Sequence, residues 1–288
     1  MKISVSGNSG CELHISQTEG RYSVTKVARD QAYVDRLKAQ ITKQRNAYET
    51  VSLPFVHIPK VLDEMEIEEQ GQVAYAAVME YLNYQDYAEF FLKSSLKKID
   101  NFINNAIQII EMELEAAVIE TVDPNIFYKK LDEIDLKIKG SAKETLKRQQ
   151  LERIRAELQH APVNLPLAPI HGDLTLANMM ISADGSKIGI FDFLDSYLDS
   201  PLLDIAKLRQ DTQFHWSELM TSEPIDHARY LMVMEYIDRQ LDQYFHRYDW
   251  YTKHYGLIQA INIARIFPYE KHEKVTEFTT STLTRLGY

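Results

Sequence analysis

Apolar and polar positions alternate with a period of two near the start of the chain, so that Met1 to Gly7, Glu12 to Ser16 and Tyr22 to Ala28 each predict a strand. Gly7-Asn8-Ser9-Gly10 and Glu19-Gly20 supply the turns, and the result is a small antiparallel meander. The period then lengthens. Asp30 predicts an N-cap, and Val34, Leu37, Ile41, Gln44 and Tyr48 follow at spacings of three and four, defining the inner face of one amphipathic helix. Pro54 and Pro59 punctuate a connection, and Val73 to Glu80, rich in Val, Ala and Tyr, predicts a further buried strand. From Tyr84 to about His160 the spacing of Phe90, Phe91, Ile99, Phe102, Ile103, Ile107, Ile110 and Leu114 is helical, broken at Pro124 and Gly140. The charged stretch from Lys130 to Gln159 predicts a pair of solvated helices. Met179 to Ser182 and Lys187 to Phe191 predict a hairpin turning at Ala183-Asp184-Gly185-Ser186, and Pro201 to Tyr288 is again mainly helical.

This order of elements predicts an α+β protein with two lobes: a small antiparallel-sheet lobe over residues 1–82 and a mostly helical lobe over residues 83–288 that contains the hairpin. A length of 288 residues with 45% hydrophobic positions is enough for two cores. The 32 Lys and Arg against 42 Asp and Glu leave a net charge of −10, which argues against a general nucleic-acid binder. No apolar run approaches the length of a membrane span, and no secretory signal pattern opens the chain. A lone cysteine, Cys11, fits a reducing compartment, so a cytoplasmic location is expected.

Candidate chemistry is concentrated between Ile170 and Leu208. His171-Gly172-Asp173-Leu174-Thr175-Leu176-Ala177-Asn178 has the H-x-D-L-x-x-x-N spacing of a phosphoryl-transfer loop, and Asp192-Phe193 follows nineteen residues after Asp173. Gly185 lies midway between Asn178 and Asp192, so a hairpin folded there brings both to its open end. Phosphoryl transfer from ATP needs hard oxygen ligands for Mg²⁺ and a carboxylate to take the proton of the attacking hydroxyl. Asn178 and Asp192 offer the first, Asp195 adds a further metal carboxylate or a substrate contact, and Asp173 is the candidate base. His171 is expected to brace the loop rather than to bind metal, since it has no second imidazole beside it.

This stretch resembles the aminoglycoside phosphotransferase and choline kinase family, small-molecule relatives of the protein kinases. Gly172 and Leu194 stand where protein kinases carry Arg and the Gly of Asp-Phe-Gly, and Pro201-Leu202-Leu203-Asp204-Ile205-Ala206 is similar to the family's P-x-x-D-[IL]-A segment. The resemblance implies a bilobal protein-kinase-like fold and ATP-dependent transfer to a small-molecule hydroxyl. It also implies a structural role for Asp204, which would accept backbone donors from the catalytic loop. In the first lobe it implies phosphate contacts from Gly7, Asn8 and Ser9, a phosphate-binding lysine at Lys26 on the third strand, and adenine contacts from main-chain groups near Glu80 and Leu82. The helix after the lysine carries Gln44 where the family usually has a glutamate, which leaves open a nucleotide-binding scaffold without catalysis.

The acceptor is less legible. Tyr244, Phe245, Tyr248, Trp250, Tyr251 and Tyr255 follow Glu235, Asp238 and Asp242, which suggests an aromatic, acidic pocket for a cationic amino alcohol or aminoglycoside. Ordinary core aromatics and solvent-facing carboxylates give the same spacing, and a neutral sugar-like acceptor is equally open.

Overall fold

The computed structural model of the protein describes residues 3–6, 11–69, 72–220, 226–270 and 272–288. The expected meander forms as β1 (Ile3–Ser6), β2 (Glu12–Thr18) and β3 (Arg21–Ala28), each antiparallel to the next. Helix α1 (Gln31–Thr50) starts where Asp30 accepts the Ala32 N–H at 2.9 Å, which satisfies a free donor of the first turn. Val34, Leu37, Ile41 and Gln44 are buried as expected, Gln40 joins them, and Tyr48 is instead half exposed because the stripe turns away from the sheet in the last turn.

Two short segments that read as connection are strands. β4 (Val56–His57) and β5 (Val61–Glu69) precede β6 (Gln72–Glu80), and the first sheet has the order β1-β2-β3-β6-β5. β5 was hidden by its acids, yet its edge position explains them. Glu64 pairs with Arg45 and accepts the Tyr75 hydroxyl, and Lys38 donates to Glu66 at 2.7 Å, so carboxylates on an edge strand tie α1 to the sheet. Charge on an edge strand also discourages pairing with another chain. Ala28, Val34, Leu37, Ile41, Tyr75, Ala77 and Met79 make the core between α1 and the sheet.

Helices α2 (Tyr87–Lys93) and α3 (Leu96–Glu115) follow, then β7 (Val118–Thr121), α4 (Pro124–Lys137), α5 (Glu144–Leu158) and β8 (Asn164–Leu167). α4 and α5 occupy the expected charged stretch, and each hides an apolar face: Phe127, Leu131 and Ile134 on one, Leu151, Ile154 and Leu158 on the other. The β7–β8 pair was not expected. The hairpin forms as β9 (Met179–Ile181) and β10 (Ile188–Ile190), with β10 also parallel to β4. The remainder is α6 (Pro201–Thr212), α7 (Trp216–Met220), α8 (His227–Phe245), α9 (Asp249–Ala264) and α10 (Glu273–Arg285). None of the described helices is long and apolar enough to cross a membrane.

Two compact units result. The first comprises Met1–Phe90, Ser95–Asn105 and Ala177–Asp195; the second comprises Phe91–Ser94, Ala106–Leu176 and Ser196–Tyr288. The hairpin therefore belongs with the sheet unit, whereas a single cut at Leu82 assigns it to the helical one. Its turn is anchored there: Lys98 donates to the Ala183 carbonyl at 2.7 Å and Asn105 to that of Ser186 at 3.2 Å. Within the turn Asp184 accepts from the Ser186 N–H at 3.0 Å and from the Ser182 hydroxyl at 2.6 Å.

Gly185 has φ +75°, and a Cβ added there would stand 2.9 Å from the Lys98 carbonyl oxygen. Backbone conformation and space both require glycine. Gly185→Ala is expected to lower unfolding free energy by about 1–3 kcal/mol, measured by denaturant titration; unchanged stability would show that the hairpin tip is not held in this form.

Candidate active site

In the sheet unit, the pairing Ile181↔Ile188 and Met179↔Ile190 ends with the Phe191 N–H donating to the Asn178 carbonyl at 3.2 Å. Asn178 and Asp192 thereby sit at the same end of the hairpin. Asp192 adopts φ +62°, a left-handed conformation that Asp tolerates better than most residues and that turns its carboxylate out of the strand direction. That carboxylate accepts from Lys26 Nζ at 2.8 Å. Lys26 shares a strand face with Ala28, points toward α1 and is buried, and it also donates to Gln40 Oε1 at 3.3 Å. A buried ammonium needs an anion, and Asp192 supplies it.

The expectation that Gln44 faces this lysine is corrected. Gln44 donates instead to the Pro59 carbonyl at 2.7 Å, and Gln40, one helical turn earlier on the same stripe, takes the seat. A second contact from α1 went unnoticed: Lys43 donates to the Leu194 carbonyl at 2.8 Å and lies 3.9 Å from Asp195, whose side chain is three-quarters exposed. The helix therefore holds the Asp192–Asp195 segment through a cation on its main chain.

Glu80 ends β6 with its N–H bound to the Lys60 carbonyl at 2.9 Å, and its carboxylate lies 3.2 Å from His57 Nε2. Leu82 is buried, with its Cδ1 packed in the space beside Gly189 that a Cβ would enter. Gly7, Asn8 and Ser9 lie outside the described residues.

The helical unit holds the other half of the motif. α6 begins at Ser200, whose hydroxyl accepts the Leu202 N–H, and every one of its residues except Lys207 is buried. A helix buried all round that carries Asp, Lys, Arg, Gln and Asp must satisfy each of them internally. Asp204 accepts the Gly172 N–H at 3.0 Å and the Leu174 N–H at 3.3 Å, as the resemblance implied. Asp211, seven residues and about two turns on, accepts the Leu176 N–H at 2.7 Å and both donors of Ser217. Between them Lys207 Nζ meets Asp173 Oδ1 at 3.0 Å. The positions 204, 207 and 211 share one helix face, so α6 grips the catalytic loop before, at and after its carboxylate.

His171 is buried and its Nδ1 accepts the Asp173 N–H at 3.2 Å, which is the bracing role expected of it. Glu113 of α3 accepts the His171 N–H at 3.3 Å. Burial pushes Asp204 above the usual carboxylate range, against the opposing pull of His171 and the loop amides. Burial also pushes Asp173 up, but the Lys207 ammonium, with His171 and Arg265 behind it, outweighs that and holds the group below its ordinary value. Asp173 is thus ionised at neutral pH.

The suggested cationic pocket has an internal occupant. Arg209, buried on α6, binds Asp238 through two nitrogens at 2.8 and 2.7 Å and Asp242 at 2.6 Å, with Tyr251 beside it and the Tyr255 ring 4.5 Å from its carbon. The chain's own guanidinium therefore bridges these two carboxylates and offsets one of their charges. Glu235 pairs with Arg239, and Tyr248 donates to Glu111 at 2.9 Å. Sequence reasoning missed Gln40, Lys43, Glu113, Lys207, Arg209 and Asp211; for Lys207 and Asp211 the i+3 and i+7 spacing from Asp204 was the available signal.

Fold and site together define a small-molecule phosphotransferase, and the comparisons agree. This chain belongs to the phosphotransferase enzyme family (APH), whose model matches residues 5–257. Among solved structures, a thermostable mutant of aminoglycoside phosphotransferase APH(4)-Ia has a TM-score of 0.62 at 13% identity, covering 100% of this chain and 94% of that one. A microcompartment-associated aminopropanol kinase gives 0.60 at 13% identity, covering 99% and 90%. A Plasmodium vivax ethanolamine kinase gives 0.54 at 11%, covering 100% and 82%. At such identities these structures establish the protein-kinase-like fold alone. No curated protein sequence matches the chain.

Burial pushes Asp211 up to about 6, against the donors from Ser217 and Leu176, with Asp173 adding a like charge. A raised carboxyl means that the folded protein binds the proton more tightly than the unfolded chain. Its contribution to stability is therefore present below pH 4 and is lost as pH rises through 6. The stability advantage of the native protein over Asp211→Asn is expected to fall by about 3 kcal/mol between pH 4 and 7, read from denaturant unfolding across that range. Parallel pH curves for the two proteins would contradict the assignment.

Proposed function

We propose that this phosphotransferase moves the γ-phosphoryl group of ATP, with Mg²⁺, to a hydroxyl of a small molecule. The observation that carries the reading is the Lys26–Asp192 pair at 2.8 Å, a buried strand cation set against the carboxylate of the hairpin end. Such a pair serves a phosphate chain and its counter-ion together.

The donor set suits magnesium. Asp192 and Asn178 are hard oxygen ligands on one hairpin end, and among the described residues no group of three or more His, Cys, Asp or Glu forms a cage that would hold an ion without help. Magnesium is usually held by one or two protein oxygens together with water and substrate phosphates, and when bound it neutralises phosphate charge. Asp192 and Asn178 would hold it, with Asp195 as a further carboxylate three residues on. Lys26 binds the phosphates. Main-chain groups near Glu80 and Leu82 take adenine, and Gly7, Asn8 and Ser9 are proposed to contact phosphate.

Asp173 orients the acceptor hydroxyl and takes its proton as the new oxygen–phosphorus bond forms. It is tied by only five residues of chain to Asn178. Because its carboxyl is held below its ordinary value, positioning contributes more than basicity, which suits a transition state with late proton transfer.

The related solved structures include ternary complexes of APH(4)-Ia with a nucleotide and hygromycin B, alongside kinases of ethanolamine and aminopropanol. They support an amino alcohol, aminoglycoside or sugar-like acceptor. The scaffold alternative rested on a missing helix glutamate, and the Asp192 partner of Lys26 removes the need for one.

ADP release with MgATP is to be measured across amino alcohols, aminoglycosides and sugars. Asp173→Ala and Asp192→Ala are each expected to reduce turnover at least a hundredfold. Equal turnover in all three proteins would reject the mechanism.

A further inference from the structure

Two of the three contacts that α6 makes to the catalytic loop fix its main chain. Asp204 holds the Gly172 and Leu174 amides, and Asp211 holds that of Leu176. Neither determines where the Asp173 carboxylate points, since its two side-chain torsions remain to be set. The third contact acts on that carboxylate directly. Lys207 is the one residue of α6 that is not buried, its side chain is nevertheless only 13% exposed, and its ammonium meets Asp173 Oδ1 at 3.0 Å.

We propose that Lys207 is a positioning residue for phosphoryl transfer, one that orients the Asp173 carboxylate and keeps it ionised by engaging its Oδ1 from the helix face that also clamps the loop. This rests on the functional reading above. It assigns a role to a residue outside the H-x-D-L-x-x-x-N motif.

The charges around Asp173 give the inference its force. Lys207 faces it from α6, His171 from its own loop and Arg265 from the end of α9, while Asp211, also on α6 and pushed up to about 6, is protonated where Asp173 titrates. Burial alone favours the neutral acid. Of these groups Lys207 pulls Asp173 down most, so without it burial acts against a weaker remainder. A protonated Asp173 could not accept a proton from an alcohol. An ion pair at 3.0 Å also makes the two carboxylate oxygens inequivalent, because the charge-assisted contact engages Oδ1 and thereby restrains the second torsion.

A structural bolt between α6 and the loop would have the same geometry but different consequences. Its loss would lower melting temperature and leave turnover by the folded protein unchanged. Either loss raises the Asp173 midpoint, so the separating readout is kcat at a pH well above that midpoint: loss of a positioning cation lowers it with KM little changed, and Lys207→Arg restores it.

The decisive experiment is carboxyl ¹³C NMR titration of the full chain, with the Asp173 signal assigned through Asp173→Asn. The comparison is between native protein, Lys207→Met and Lys207→Arg. The native midpoint is expected below the ordinary Asp value. Lys207→Met should move it up by about 1–3 pH units, and Lys207→Arg should keep it low because the charge is retained. The pH profile of MgATP hydrolysis by the same proteins should show its acidic limb moving with the midpoint. An ordinary midpoint in the native protein, or the same midpoint in native and Lys207→Met, overturns the proposal. The titration needs no turnover, so an inactive native protein would count against phosphotransfer while the midpoints still decide whether Lys207 keeps Asp173 ionised. If Lys207→Met fails to fold, the native and Lys207→Arg midpoints decide: both low supports the assignment, and either at the ordinary value overturns it.

Discussion

A buried helix cannot leave charges unpaired, and in this protein that constraint shapes the catalytic loop. α6 is enclosed by the helical unit at every position but one, yet it carries two aspartates, a lysine, an arginine and a glutamine. Each must find a partner inside. Asp204 and Asp211 find the amides of residues 172–176, Lys207 finds Asp173, and Arg209 finds Asp238 and Asp242 on α8. The face that binds the loop and the side that binds α8 are fixed by one rigid element, so the position of the Asp173 carboxylate follows from how the helix is packed. Backbone amides that would otherwise be orphaned in a loop become the donors that stabilise buried carboxylates.

The sheet unit solves a similar problem with fewer groups. A lysine on the buried face of β3 needs an anion, and the left-handed turn at Asp192 presents one. α1 adds no carboxylate to this pair. It contributes the neutral Gln40 to Lys26 and uses Lys43 to hold the main chain at Leu194. The position of that helix therefore bears on the Asp192–Asp195 segment through a main-chain contact, while the lysine takes its charge balance from the hairpin.

Much of this was legible in the sequence for physical reasons. The shared hairpin end of Asn178 and Asp192 was readable because the turn between them falls on a glycine whose φ of +75° no other residue adopts readily. The α1 cap and inner stripe were readable because both are local. β5 was not, since its glutamates obscure the alternation and their pairing with α1 is a tertiary fact. The choice of Gln44 over Gln40 failed because the stripe gives a face and not the turn along it. The pairing of the acidic residues on α8 was not legible either: spacing shows that Asp238 and Asp242 share a face, but only packing shows that Arg209 bridges them.

The central claim is that carboxylates of α6 hold the amides of the catalytic loop. Amide hydrogen exchange at Gly172, Leu174 and Leu176 measures those bonds directly. The account predicts that these three, although they lie in a loop, exchange as slowly as the amides within α6, opening only when that helix does. Exchange at rates typical of solvent-exposed loops would contradict it.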